Sequence, residues 1–181
     1  MSEPTYDVVL LIEQPLSTLD ARQVRGLHEE VEQPVRYHVL LPVEDAAARV
    51  ESAMGSVATS EVIVTPSLAM DDQQLEETQR ALLERARAEL SACLDRLHEA
   101  GADAVGEIVS VDPIDALAAK VSEVDGREAI ILTRPHVVAE FFHLDWTSRA
   151  RRKIGVPVLH LLEHESFDEQ AGGGGEGVTG M

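Results

Sequence analysis

Apolar and polar residues form alternating blocks along the chain, and the blocks are typical of strands and helices taken in turn. Five short apolar runs show little internal alternation, as expected for parallel strands that are covered on both faces. These predicted strands are Val8–Ile12, Val35–Val43, Ala104–Val111, Ala129–Leu132 and Val156–Leu162. Helical periodicity separates them. We therefore predict an α/β fold in a single domain, an open five-stranded parallel sheet with helices on both faces and right-handed crossovers.

Capping residues mark where the first predicted helix begins. Ser17 and Asp20 have the spacing of a capping pair, in which each side chain bonds the other residue's backbone N–H. The apolar stripe of this helix is predicted to run through Val24, Leu27 and Val31, the residues that recur at helical spacing.

Two further helices carry equally clear boundaries. A long amphipathic helix is predicted from Leu75 to Leu97, with Gly101 placed where a C-cap is wanted. Asp112 and Pro113 then supply an N-cap and a proline at the first helical position. The residues of this later helix expected to face inward are Ile114, Leu117 and Val121.

Length and composition are consistent with one packed unit. The chain has 181 residues, of which 44% are hydrophobic, enough for a single core. We assign residues 1–165 to the domain and expect residues 166–181, which are polar, acidic and rich in glycine, to be disordered. The long connection Glu44–Asp72 has no predicted role, although connections of this length are often functional or mobile.

Charge and cysteine content exclude several classes of function. A formal net charge of −18 argues against nucleic acid and against anionic membrane surfaces, which both attract basic proteins. Cys93 is the single cysteine, so intramolecular disulfides and CxxC chemistry are excluded, and we expect it to be a small buried side chain. The sequence has neither an apolar run of about 20 residues nor a secretion signal at its start. We expect a cytoplasmic protein.

Three phrases in the chain resemble the universal stress protein family in order and spacing. They are Asp7-Val-Val-Leu-Leu-Ile-Glu13, then Gly106 through Leu117, and finally Ala129-Ile-Ile-Leu-Thr-Arg134 followed by Gly155-Val-Pro-Val-Leu-His160. The resemblance covers residues 6–163. It implies the adenine nucleotide alpha-hydrolase-like fold and a homodimer formed through the last strand. The interface candidates are Val156, Val158, His160 and Leu162, and His164 is predicted to share a face with His160.

The chain departs from this family where many of its members bind ATP. Their signature after the fourth strand is Gly-x2-Gly-x9-Gly-Ser/Thr, and here no glycine lies between Arg127 and Ile154. Pro135 removes a backbone donor, and Asp145, at the predicted cap of the last helix, would repel a phosphate. Glu13 is followed by Gln-Pro rather than by Gly-Ser. The sequence therefore resembles a member that does not bind ATP through the glycines, and we predict no cofactor.

Ligands of open α/β sheets bind beyond the carboxyl ends of the strands, so a ligand cleft is predicted there. The cleft candidates are Glu13, Thr133, Arg134, His136 and Asp145. Arg134 is of most interest because it directly follows a strand. The basic residues Arg149, Arg151, Arg152 and Lys153 are expected to offset the dipole at a helix C-terminus. The alternative is a basic patch with Arg134 that receives an anion or an acidic partner.

Three aromatic residues follow the fourth strand, and the sequence is compatible with more than one role for them. Phe141, Phe142 and Trp146 are compatible with core packing, an apolar pocket or a partner surface. His136, Glu140 and His143 recur at i, i+4 and i+7, a spacing that could hold a metal ion on one helix face. The pattern is common by chance, and we predict ordinary surface residues and no metal site.

These observations favour a non-catalytic, universal-stress-like homodimer with a regulatory or stress-response role, acting through a protein partner or a small ligand. A second hypothesis is a nucleotide-binding switch that uses Thr133 and Arg134 in place of the glycines. A third is a small enzyme that uses Glu13, His136 or His143 as acid or base. A triosephosphate-type barrel is excluded because it needs about 250 residues and eight βα units.

Overall fold

A computed structural model describes residues 4–43, 72–133 and 152–162. Strands and helices alternate along these ranges, as predicted. The strands are β1 (Tyr6–Ile12), β2 (Val35–Pro42), β3 (Asp103–Val109), β4 (Glu128–Thr133) and β5 (Val158–Leu162). The helices are α1 (Thr18–Gly26), α2 (Asp72–Glu99) and α3 (Pro113–Glu123), and residues 152–154 are also helical. Within the described ranges, none of the helices has the length and apolar character needed to cross a bilayer.

The strands form one parallel sheet with the order β3-β2-β1-β4-β5. Strands are added on one side of β1 as far as β3, and on the other side from β4 onward. The reversal places the carboxyl ends of β1 and β4 side by side at the centre of the sheet. In open α/β sheets, this switch in strand order opens a crevice.

Buried side chains lie on both faces of the sheet, which explains why the strands show so little alternation. One face packs against α1 and α2 and includes Val8, Leu10 and Ile130. The other packs against α3 and Ile154 and includes Val9 and Ile131. The predicted arrangement, with helices on both faces, is confirmed.

The helix boundaries follow the predicted capping chemistry. Ser17 and Asp20 form a reciprocal capping box at α1. The Asp112 carboxylate accepts hydrogen bonds from the backbone N–H groups of Ile114 and Asp115 at the start of α3. Gly101 follows α2 with a φ of +80°, a conformation that a side chain disfavours.

The prediction that Val31 continues the α1 stripe is wrong. The helix ends at Gly26, and beyond Leu27 the backbone N–H groups bond the carbonyl three residues earlier instead of four, as from His28 N to Arg25 O and from Val31 N to His28 O. Val31 therefore lies beyond the helix and outside both hydrophobic core clusters. The side chain of His28 lies buried at this end of the helix instead.

Two strands are shorter than predicted. β5 begins at Val158 rather than Val156, because Pro157 has no N–H group and joins the sheet only through its carbonyl, which accepts from Ala129 N at 2.9 Å. β3 ends at Val109, so Val111 lies outside the strand and is exposed.

Candidate functional site

The loop after β1 shapes the carboxyl edge of the sheet. Glu13 N donates to Leu132 O at 3.3 Å, which fixes Glu13 beside the end of β4. Leu16 is buried, and both of its backbone groups bind α2: its N–H donates to Cys93 Sγ at 3.2 Å, and its carbonyl accepts from Arg96 Nη1 at 2.6 Å. The loop is therefore held firmly against the long helix. The prediction that Cys93 is buried is confirmed.

A cleft of about 220 Å³ opens between this loop, the end of β2 and α2. The loop contributes residues 13–15, the strand end contributes 41–43, and α2 contributes Leu82, Arg85, Ala86 and Glu89. The end of β2 is fixed by Val43 N, which donates to Val109 O at 2.9 Å. The cleft therefore has walls hydrogen-bonded to the sheet on the strand side and a helical wall opposite.

Charged groups border the cleft on two sides. Glu13, half-buried, lies on the loop wall, and Arg85 and Glu89 lie on the helical wall. Arg85 Nε donates to Glu89 Oε1 at 2.7 Å, an i,i+4 pair on the helix. Among the described residues, two carboxylates and one guanidinium thus border the cleft, and the guanidinium is bonded to one of the carboxylates.

A different cluster of polar groups lies near the amino ends of the strands. His28 Nε2 bonds Glu128 on β4, and the Tyr37 hydroxyl lies 2.8 Å from His28 Nδ1. The same hydroxyl donates to Val24 O at 3.1 Å. Tyr37 is fully buried, and this burial raises the pKa of its phenol to about 12. The amino-edge cluster, as we call His28, Tyr37 and Glu128, joins the end of α1 to β2 and β4.

A second polar pair lies near the amino ends on the α3 face. His38 Nε2 donates to Asp7 Oδ1 at 2.7 Å, and Thr5 Oγ1 donates to Asp7 Oδ2 at 2.7 Å. Burial alone would raise the pKa of the Asp7 carboxyl. The hydrogen bonds from His38 and Thr5 outweigh that effect, and the net result is a lowered pKa.

The structure places only part of the predicted ligand cleft. Glu13 lies in the cleft wall, and Thr133 ends β4 at the same edge of the sheet. Outside the described residues lie Arg134, His136, Asp145, Phe141, Phe142 and Trp146. So do Glu140, His143, Arg149, Arg151, His164, the connection 44–71 and the tail 166–181.

The predicted interface strand has one face against the core. Val156 and Val158 are half-buried and pack on the α3 side, and burial lowers the pKa of the His160 imidazole. Leu162 ends β5. Leu159, which sequence reasoning did not single out, is 40% exposed. Its position between the inward-facing Val158 and His160 is the signal that could have identified it.

One predicted basic residue can be assigned a partner. Lys153 Nζ donates to Asp115 near the start of α3, and both side chains are more than half exposed. This contact links the helical residues 152–154 to α3. Lys153, within the helical residues 152–154, is therefore bonded to a carboxylate of the protein itself.

The helical wall of the cleft was missed in the sequence. Leu82, Arg85, Ala86 and Glu89 recur at i, i+3, i+4 and i+7, so they share one face of α2. Leu82 and Ala86 belong to the apolar face of the predicted amphipathic helix, and the charged pair beside them was not singled out. The sequence signal for this wall is an arginine and a glutamate that lie on the same helix face as apolar residues.

Comparisons with known proteins give a clear result for the fold. No protein-family model matches the sequence, and a search of curated proteins finds no match. Among solved structures, the hypothetical protein MJ0577 matches with a TM-score of 0.57 at 14% identity, over 89% of this chain and 99% of that chain. A universal stress protein family protein from Arabidopsis thaliana with AMP bound matches with a TM-score of 0.51 at 13% identity, over 92% and 95%. The chain thus has the fold of the universal stress proteins.

Proposed function

We propose that this chain is a non-catalytic member of the universal stress protein family, a regulatory or stress-response homodimer that binds a small ligand without the glycine signature. The observation that carries the proposal is the cleft beside Glu13. It lies beyond the carboxyl ends of β1 and β2, at the ligand-binding edge of open parallel sheets and next to the switch between β1 and β4. Its walls are built from a fixed loop, a strand end and a long helix.

The sequence after β4 supports a mode of binding other than the glycine signature. Without glycine between Arg127 and Ile154, the backbone has no residue that tolerates the closest approach to a phosphate. Pro135 adds the loss of one N–H donor. A phosphate chain would therefore find few of the backbone donors that cradle it in glycine-rich loops.

A nucleotide-binding switch is the second candidate, and one observation favours it. The Arabidopsis thaliana structure with AMP bound has the same fold. In this candidate, Thr133 and Arg134 replace the glycines. ATP should then raise the melting temperature of the native protein, and Arg134→Ala should abolish the increase.

The proposed homodimer forms through β5. Within the described residues, β5 pairs with β4 and is the last strand in the sheet order, the position from which a strand can pair with a second copy. The 40% exposed Leu159 adds apolar surface on this edge strand. A two-fold axis beside β5 would pair the strand with its own copy.

Native mass spectrometry of freshly purified protein tests the proposal. We expect a dimer whose mass holds no ATP. A dimer that carries the extra mass of ATP would contradict the non-signature mode, and a monomer at micromolar concentration would contradict the assembly.

Two matched variants test the interface itself. Leu159→Glu should convert the dimer to monomer because it places like charges at the two-fold axis. Leu19→Glu alters a leucine of similar exposure, 43%, on α1 and should leave the dimer intact. Light scattering after size-exclusion chromatography measures the mass of each variant. If both variants have the mass of a dimer, Leu159 does not lie in the interface.

A further inference from the structure

The outer strand β3 carries an exposed row of side chains on the α3 side of the sheet. We propose that β3 binds an extended, basic segment of a partner protein, which adds to the sheet as a further strand. The β3 surface, as we call Asp103, Val105 and Glu107, is the basis of this inference. These residues are not among those that line the cleft beside Glu13, so the inference is independent of the ligand proposed there.

The β3 surface lies on the face of the strand that is turned away from α2, because successive side chains of a strand point to opposite faces. Ala104 packs in the core on the α2 side, and a Cβ added at Gly106 would lie 2.7 Å from Leu90 Cδ1 of that helix. On the other side, α3 packs over β1, β2 and β4. Val105 is accordingly 45% exposed, and the two acidic residues beside it are exposed as well.

β3 is fixed in position along its length. Among the described residues it is the last strand in the sheet order on this side, and it pairs with β2 from Asp103 to Val109. Its carboxyl end is also fixed, because Val109 O accepts from Val43 N at 2.9 Å. A last strand can bind an added segment through main-chain hydrogen bonds, while alternate side chains of that segment provide specificity.

The order acidic, apolar, acidic along the β3 surface indicates which side chains the partner needs. An added strand centred on Val105 has neighbours of Asp103 and Glu107 two positions before and after its centre, whether it runs parallel or antiparallel. Opposite charges and apolar pairs stabilise neighbouring strands, so the complementary pattern is basic, apolar, basic at alternate positions. The formal net charge of −18 also attracts a basic partner and repels an acidic one.

Both acidic residues have cationic neighbours within the protein. Asp103 Oδ2 accepts from Arg36 Nε at 2.8 Å, and Glu107 Oε1 accepts from Lys120 Nζ at 2.9 Å. Lys120 also bonds Glu123 at 2.8 Å, so two carboxylates share this one ammonium group and the cluster keeps a net negative charge. Exposed ion pairs contribute little to stability, so a cation of the partner can join or replace them.

A hollow beside Val105 favours a protein partner over a small molecule. It has a volume of about 80 Å³ and lies between β2, β3 and α3, where Leu40 and Lys120 are among its lining residues. Sites for drug-sized molecules have roughly 300–1,000 Å³. The hollow is therefore of a size for one side chain of a partner and not for a metabolite.

A second copy of the chain fits the β3 surface less well than a basic partner does. In antiparallel pairing centred on Val105, Asp103 of each copy would lie opposite Glu107 of the other, and like charges directly opposite are destabilising. Two chains of formal net charge −18 also repel each other. The occupant that the charges favour is a different, basic chain.

Fluorescence anisotropy with a labelled peptide tests the inference. The probe has the central sequence Lys-Thr-Ile-Thr-Lys, and a charge-reversed peptide has glutamate in place of both lysines. We expect the basic peptide to bind the native protein at least about tenfold more tightly than the acidic peptide. Val105→Lys should weaken binding of the basic peptide by about tenfold, because it replaces an apolar contact with a like charge.

Leu19→Lys is the matched control variant. It alters a leucine of similar exposure, 43%, on α1, so the net charge changes equally while the β3 surface stays intact. Binding of the basic peptide should persist in this variant. Melting curves followed by circular dichroism verify that both variants are folded.

Backbone methylation of the peptide tests strand pairing separately from charge. Two forms of the basic peptide carry N-methyl groups on one or the other set of alternate amides. Only every second amide of an added strand faces β3, so one form should lose binding and the other should keep it.

The other outcomes would overturn the inference. Equal binding of the basic and acidic peptides, or no binding of either, would exclude a basic partner. Equal affinity of the two methylated forms, or equal losses in Val105→Lys and Leu19→Lys, would reduce the interaction to attraction by net charge. A smaller native mass for Val105→Lys alone would assign the β3 surface to a second copy of the chain. None of these outcomes bears on the cleft beside Glu13.

Discussion

Both edges of the sheet carry polar and charged side chains, but these side chains have different surroundings at the two edges. At the amino edge, His28 and Tyr37 are buried, and their polar atoms bond to each other, to Glu128 and to the Val24 carbonyl. At the carboxyl edge, Glu13, Arg85 and Glu89 border a cleft of about 220 Å³. Charged groups are present in both places. Among the described residues, those at the carboxyl edge border the larger space of about 220 Å³, whereas the polar atoms of the amino-edge cluster bond one another.

This difference separates a stabilising role from a binding role. Buried polar groups stabilise a fold only when neighbouring atoms satisfy their hydrogen bonds, which the amino-edge cluster achieves across α1, β2 and β4. Groups that border an open cleft contribute less to stability and can be reached by a ligand. Substitutions at the two edges should therefore have opposite effects on folding and on binding.

The largest effect is expected for His28→Ala. The substitution removes the partner of both the Glu128 carboxylate and the buried Tyr37 hydroxyl. Breaking a fully buried pair costs about 3–5 kcal/mol, and Glu128 is 25% exposed, so we expect a loss of about 3 kcal/mol in the free energy of unfolding. Urea denaturation measures it, and a loss below about 1 kcal/mol would show that the amino-edge cluster is not a stabilising element.

Tyr37→Phe should be the next largest in effect. The phenol hydroxyl bonds both Val24 O and His28, and its loss leaves these buried groups without that partner, at a cost of about 1–2 kcal/mol. Tyr6→Phe is the control, because the Tyr6 hydroxyl is 3.5 Å from Glu128 Oε2 and forms a weaker contact. Equal destabilisation of the two variants in urea would contradict this ranking.

The free energy of unfolding should depend on pH through Asp7, which lies beside His38 on the α3 face. Its pKa is lowered in the folded protein, so its stabilisation is present above the unfolded pKa of about 3.9 and is lost as the pH falls through the folded value. Asp7→Asn should flatten the dependence of unfolding free energy on pH in this acid range. An unchanged slope would show that the hydrogen bonds from His38 and Thr5 do not act through this carboxyl.

The smallest effect on stability is expected for Glu13→Gln at the carboxyl edge. Glu13 borders the cleft and keeps its backbone bond to Leu132 O, so the free energy of unfolding should change by about 0.5 kcal/mol or less. Binding in the proposed ligand cleft, probed with adenosine as an adenine compound without phosphate, should nevertheless weaken by about tenfold. The reason is that the amide of the glutamine variant accepts hydrogen bonds less strongly than the Glu13 carboxylate. A large loss of stability with unchanged affinity would reverse the roles of the two edges.

Local chemistry explains which features could be predicted from the sequence. The capping pair Ser17 and Asp20, the Asp112-Pro113 start and Gly101 act within a few residues, so their patterns are visible in the chain. Glu13 could be placed at the ligand edge because it directly follows an apolar strand.

Long-range contacts explain what could not be predicted. His28 and Glu128 are 100 residues apart in the chain, and nothing near either residue indicates the other. The helical wall of the cleft could not be predicted for the same reason, since it too depends on long-range contacts. Arg85, Glu89 and Glu13 line one cleft, and the bonds from Leu16 to Cys93 and Arg96 hold the loop against α2. These contacts depend on how α2 packs on the sheet.

The most direct test of the central claim, that ligand binding belongs to the carboxyl edge, is an NMR titration of backbone amides with adenosine. We predict shifts that change at Glu13, Val43 and Arg85, with those of Tyr6, His28 and Glu128 unchanged. Shift changes concentrated at the amino edge, or none at saturating adenosine, would contradict the claim.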